Sequence, residues 1–381
     1  MLRHIAALAA LFSLLAASPL SACTLCTGNV QSAQTLRLEA RQAKMVLYGT
    51  LTASRLNPGG GGSTDLAVEQ VLKDDPARAG RTGITLPKYI PVDPKAPPKF
   101  LIFCDVYDGK IDAYRGNPVK GPGVIDYLKG ALAGSDADRA ASLLYYFRFL
   151  DSADPDIATD AFLEFAKAND REIGLTAPRL EPAKLRQLLT DPRTQPERLG
   201  LYAYLLGACG TPADADLLAA LLAHPTERTA PTLGGQLAGY IRLRPKEGWD
   251  LATAILNDPR RPFPDRLAVI GTLRFYHGSH PEEARPQVLR ALAVVVQQGE
   301  LADLAIENLR RWQWWDLTRL VLEQYEMKSH DAPLVKHAII RYALSCPDAE
   351  AKQFIAALRA REREQVEQVE ESLKDEKPPG G

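Results

Sequence analysis

Charge of one sign is not in excess in this chain: 46 lysines and arginines stand against 47 aspartates and glutamates over 381 residues. A field that would draw the molecule to nucleic acid is therefore missing, and no basic stripe with aromatics between its charges replaces it. Long apolar runs are scarce too. Ile5 to Ala17 is about 13 residues, against the ~20 needed to span a bilayer, and no other segment approaches that length. Cysteine is rare, at five residues. Cys104, Cys209 and Cys346 are scattered singly, so no second pair completes a zinc site with Cys23 and Cys26. The chain also has no G-x-S-x-G elbow, no H-E-x-x-H, no P-loop and no Rossmann fingerprint. These gaps point away from an enzyme, a cofactor or a small-molecule substrate, and no catalytic or metal-binding residue is assigned.

What the N-terminus does have is the layout of a secretory leader: Arg3 in a short basic head, the apolar run, and a small-residue exit from Ser18 to Ala22. An ordinary leader-peptidase site wants a small residue three places before the cut, where Leu20 stands. Leu20, Ser21, Ala22 and Cys23 instead resemble the bacterial lipobox, whose cysteine is diacylated and becomes the first residue of the mature chain. The resemblance implies a signal peptide over residues 1–22, lipidation at Cys23, and a lipid-anchored protein of the bacterial cell envelope. At ~0.8 kcal/mol per buried methylene, two or three acyl chains hold a protein on a membrane. Haem attachment needs C-x-x-C-H, and Thr27 stands where the histidine belongs. A thioredoxin-type dithiol should open a helix after a strand, and Cys23 follows only the leader. Outside the cytoplasm Cys26 becomes a candidate to bridge Cys104, while Cys209 and Cys346, inside helical patterns, read as buried free thiols.

After a helix expected over Gln31 to Lys44, short strands begin. Met45 to Leu56 alternates Val46, Tyr48, Thr50 and Thr52; NPGGGGST makes a loop; Asp65 to Lys73 alternates again. Gly83 to Tyr89, Lys99 to Tyr107 and Lys110 to Arg115 complete a five-stranded antiparallel sheet or small barrel over residues 45–118. Asp108-Gly109 between two of these strands is a hairpin signal, because both turn positions need positive φ. Gly59 to Gly62 lack the lysine and following helix of a phosphate cradle, and Asp105, Asp108 and Asp112 do not alternate as calcium-loop ligands do. Five strands behind Cys23, Cys26 and Cys104 resemble the netrin-like or OB-type barrel of tissue inhibitors of metalloproteinases, over residues 23–118. The chain has fewer cysteines than that family, and a lipidated Cys23 lacks the free amino terminus those inhibitors place on zinc.

From Val124 on, helical windows recur every ~31 to 42 residues. Ile157, Ala158, Ala161, Phe162 and Phe165 mark one apolar face, and Leu199, Tyr202, Ala203 and Leu206 the next, at helical spacings. Asp154-Pro155, Asp191-Pro192, His224-Pro225 and Asp258-Pro259 are expected to end one helix pair and start the next. The pattern predicts an α-solenoid of about six helix pairs over residues 124–360, then a charged tail over 361–381. Asp136 to Leu358 is similar to HEAT-type repeats, with armadillo-like and other solenoids left open by the irregular period. That resemblance implies a groove for a protein partner.

WQWWDL places Trp312, Trp314 and Trp315 beside Arg310 and Arg311. Tryptophan and arginine dominate protein interfaces, so the run is a candidate partner-binding site; the competing reading is packing between helices with one ring at the surface. In an unbroken helix Trp312 and Trp315 share a face and Trp314 does not. His277 and His280 read as surface or capping residues. The expected protein is α+β and multidomain, a membrane-anchored envelope lipoprotein acting as a non-enzymatic scaffold or adaptor for another envelope protein. An envelope hydrolase or modifying enzyme with a site outside known motifs is the alternative. A protease-inhibitor-like β module is the third.

Overall fold

The computed structural model describes residues 32–121, 123–135 and 137–376; the leader, Cys23 and Cys26 lie outside the described residues. A short helix, α1 (Leu36–Gln42), comes first, its N-cap Thr35 accepting from the Leu38 amide. Then follow β1 (Met45–Leu56), β2 (Gly62–Lys73), β3 (Gly83–Leu86), β4 (Lys99–Tyr107) and β5 (Lys110–Val119). They form one antiparallel sheet in the order β3-β2-β1-β4-β5. Its two edges are β3 and β5, so of the two forms that the alternation allowed, open sheet and barrel, the open sheet is present. Asp108 and Gly109, at φ 49° and 73°, make the expected turn between β4 and β5.

Met45 opposes Cys104 and Leu47 opposes Ile102, on a face that they share with Leu51, Leu66 and Ile84. Val46, Tyr48, Leu101 and Phe103 point to the opposite face and are buried as well. Both faces of the sheet are therefore covered at the start of β1. On the second of them, Leu101 and Val119 share a cleft with Leu36 and with helical residues described below.

The helices that follow are α2 (Gly123–Ala133), α3 (Arg139–Phe147), α4 (Pro155–Ala166), α5 (Asp170–Thr176), α6 (Pro182–Thr190), α7 (Pro196–Cys209), α8 (Pro212–Ala223), α9 (Leu233–Leu243), α10 (Pro245–Asn257), α11 (Phe263–Ser279), α12 (Pro281–Val296), α13 (Ala302–Trp312), α14 (Thr318–Glu323), α15 (Pro333–Ser345), α16 (Ala349–Arg361) and α17 (Arg363–Lys374). The chain divides into two compact units, the described residues up to Val294 and those from Val295 on. The sheet and the first helices belong to one unit, and the division falls near the end of α12.

Proline marks many helix starts, since its missing N–H is one that a helix leaves unpaired in any case. The four X-Pro signals nevertheless divide their work. Asp154-Pro155 opens α4, with Asp154 as N-cap. Asp191, His224 and Asp258 are instead C-caps of α6, α8 and α10. Each of those three ends a helix, but the next begins several residues later, at Pro196, Leu233 and Phe263.

Alternate helices stack. In the first unit α9 packs between α7 and α11, and α8 and α10 return the chain beside it. Thr272 Oγ1 donates to the Gly234 carbonyl (3.1 Å) and Tyr276 OH to that of Ala238 (2.8 Å), both steps of 38 residues, so α9 and α11 run side by side in the same direction. Gly200 faces Gly235 and Ala203 faces Gly239, which sets α7 parallel to α9 with their backbones in contact. In the second unit α13 packs on α15, α15 on α17, and α14 on α16. Packing of every second helix is compatible with a helical repeat.

The glycine contact is testable. A Cβ on Gly239 would lie 2.2 Å from the Ala203 carbonyl oxygen, whereas one on Gly271, in α11, meets nothing within 4 Å. Gly239→Ala should lower stability by about 1–3 kcal/mol through overpacking. Gly271→Ala should raise it by up to ~1 kcal/mol through helix propensity. Thermal melts of the two variants should therefore move in opposite directions, and equal shifts would contradict the close approach.

Candidate functional site

Among the clefts of the first unit's described residues, two of similar size are built where several elements meet. The first, about 330 Å³, opens between the sheet and the helices, with Leu36, Leu101 and Val119 on one side and Val124, Asp160 and Leu163 on the other. Asp160 is buried and faces two donors: the Leu36 amide reaches Oδ1 (2.7 Å) and the Tyr127 hydroxyl reaches Oδ2 (2.7 Å). One turn on, the buried Glu164 receives Arg37 (3.3 and 3.2 Å) and Arg139 (2.7 Å), while Arg139 also donates to the Glu164 carbonyl (2.9 Å). Burial pushes the Glu164 carboxyl up, but Arg139 and Arg37 outweigh it and hold the group below the usual range. At the other end of α1, the Lys73 ammonium of β2 donates to the carbonyls of Arg41 (2.7 Å), Ala40 (3.3 Å) and Ala43. Both oxygens of Asp160 accept from main-chain and tyrosine donors, so the acid acts as a clamp on α1.

The second cleft, about 320 Å³, is built by successive helices. Arg242 comes from α9, Trp249 from α10, Tyr276 from α11, His280 from the residue after it, and Glu283 from α12. Trp249 and Tyr276 meet with ring centroids 5.0 Å apart, and Tyr276 is fixed by its bond to Ala238. Asp170 ties the polar rim together, receiving Arg242 at 2.8 Å and lying 3.5 Å from His280 Nε2. Arg242 also donates to Tyr204 OH at 3.0 Å. The result is an aromatic wall beside a cation, with Glu283 exposed at the lip.

The WQWWDL run behaves otherwise than an unbroken helix would. Helix α13 ends at Trp312, because Gln313 takes up a left-handed conformation at φ 56° and the Trp314 amide turns back to the Leu309 carbonyl (2.9 Å). Trp312 and Trp314 are brought together (5.2 Å), Trp314 is buried, and Trp315 packs edge-on against Tyr342 (5.0 Å). Arg310 is 9% exposed and paired with Glu307 and Glu376, while Arg311 is 63% exposed. Cys104 is fully buried in the sheet's apolar cluster, where burial pushes its thiol up to about 12; it forms no disulfide among the described residues. Cys346 is buried and Cys209 half-buried, both as free thiols. His280 lines the second cleft, and burial holds His277 below its ordinary pKa.

Among the described residues no helix is long and apolar enough to cross a membrane, and no three His, Cys, Asp or Glu side chains converge as metal ligands. Compared with protein-family models and with curated proteins, the chain matches none. Arg242, Trp249, Tyr276 and Asp170 were not singled out by motif. A recurring step is a signal for two of them: Arg242 follows Tyr204 by 38 residues, the same step that joins Ala238 to Tyr276.

The clamp has a pH signature. Burial raises the Asp160 pKa to about 6 despite its two donors and Arg37. That is above the unfolded value of ~3.9. Between those values the folded chain holds a proton that the unfolded chain has lost, so this group's contribution falls as pH rises through the window. Asp160→Asn does not titrate. Its unfolding free energy relative to wild type should improve by on the order of 3 kcal/mol from pH 4 to pH 7, measured by urea titration. A difference independent of pH would contradict the burial of this carboxyl.

Proposed function

We propose that the chain is an envelope lipoprotein, anchored through Cys23, whose HEAT-like helix pairs form a binding scaffold or adaptor for another envelope protein. The observation that carries this reading is the second cleft. Its wall is assembled by α9, α10, α11 and α12 in turn, so the stacking of helix pairs itself generates the recognition surface. Arginine, tryptophan and tyrosine, the residue types that dominate protein interfaces, line it, with Trp249 and Tyr276 buried in its wall and Arg242 and His280 at its polar rim. Leu36, where the clamp begins, is 13 residues from Cys23. A tether of that length spans at most ~45 Å, which keeps an acylated protein's first unit near the lipid.

A photo-crosslinking residue at the exposed Glu283, in full-length chain within intact envelopes, should capture a protein. His280→Ala should cut that capture about tenfold, the effect of losing ~1.4 kcal/mol at the rim. No capture, or capture indifferent to His280, would contradict the scaffold. In the same cells labelled palmitate should enter the wild type and not Cys23→Ser; equal labelling would contradict the anchor.

A further inference from the structure

Three arginines of the second unit converge on one carboxylate. Arg310, in the last turn of α13, directs Nη2 at both oxygens of Glu376 (2.8 and 2.9 Å). Arg341, on α15, directs its own Nη2 at Oε2 (2.8 Å), and Arg311 Nη2 lies 4.0 Å from Oε1. Behind them stands Glu307, whose Oε2 accepts from Arg310 Nε (3.0 Å) and whose Oε1 accepts from Arg341 Nε (2.7 Å). Glu307 therefore fixes both guanidinium planes from the rear. Arg310 Nη2, which also lies 2.9 Å from Glu307 Oε2, and Arg341 Nη2 each reach forward to Glu376 as charge-assisted donors. Three guanidiniums against the single carboxylate of Glu307 leave positive charge for a ligand to meet.

The cradle is built into the helices, and its occupant is not. Arg310 and Arg341 are 9% and 21% exposed and anchored on Glu307. Glu376 lies beyond α17, is 29% exposed, and its amide reaches Leu373 O only at 3.4 Å. The geometry points to a carboxylate-binding site formed by Arg310, Arg341 and Arg311, which Glu376 fills in cis and which an acidic segment of a protein partner fills when Glu376 leaves. This rests on the helical array being a protein-binding surface, and it gives the partner's chemistry at that place. A tethered occupant competes at an effective concentration in the ~mM range, so it weakens the apparent affinity of any free ligand.

Fluorescence anisotropy of a dye-labelled hexaglutamate peptide, titrated with full-length chain at ~20 mM salt to limit screening, reads the site directly. Glu376→Gln should bind the peptide about tenfold more tightly than wild type. Adding Arg341→Ala should return the affinity to the wild-type level or below. Equal affinity of wild type and Glu376→Gln overturns the proposal, as does a gain that survives Arg341→Ala. Should circular dichroism show that Arg341→Ala unfolds the unit, Arg311→Ala at its exposed position replaces it and should reduce the gain about threefold; an undiminished gain overturns the proposal equally. Failure here alongside successful capture at Glu283 removes the cradle alone, whereas loss of that capture removes the scaffold.

Discussion

Two carboxylates buried one turn apart on α4 hold a helix that could not hold itself. The seven residues of α1 are too few to be stable in isolation, since helix nucleation is costly and only a few bonds follow it. Asp160 receives its first amide, Glu164 binds Arg37, and Lys73 meets the last carbonyls, so acid stands at the positive end of the helix and base at the negative end. Glu164 in turn binds Arg139 at the start of α3. The same knot therefore joins the strand that supplies Lys73 to α1, α3 and α4. A buried ion pair contributes little net stability against an apolar substitute, but removing one member strands charged partners and costs about 3–5 kcal/mol. Its effect is to specify one arrangement of sheet and helices.

On that base the helical array extends. Parallel packing of α7 on α9 at glycine-close distance, and of α11 on α9 through the Thr272 and Tyr276 bonds, fixes how far each helix is offset from the one before, and the offset decides which side chains meet in the cleft between them. Arg242, Trp249, Tyr276 and His280 share a cleft because their helices are stacked, not because they are near in sequence. An array of this kind offers shape and a few well-placed rings and charges.

Much of the secondary structure was legible in the residues. The bounds of β1 and β4, the Asp108-Gly109 turn and the apolar face of α4 follow from period and turn chemistry, which act over a few residues. Three features were not legible, for physical reasons. Asp160 and Glu164 look like the polar face of α4, because their partners lie far off in the chain, Leu36 and Arg37 at 124 and 127 residues and Tyr127 and Arg139 at 33 and 25. Gln313 breaks the tryptophan run in a left-handed conformation that glutamine seldom adopts, so no glycine or asparagine announces the stop. The second cleft depends on the 38-residue offset, which strict motif spacing does not express.

The coupling of sheet to helices through Glu164 is the claim on which the rest depends, and hydrogen exchange read by mass spectrometry tests it most directly. In Glu164→Ala, peptides covering residues 36–56 should lose protection by at least ~100-fold while those covering residues 263–279 keep theirs, as expected for loss of a buried pair worth ~3 kcal/mol or more. Unchanged protection across residues 36–56 would show that the sheet is held by other means and would contradict the account.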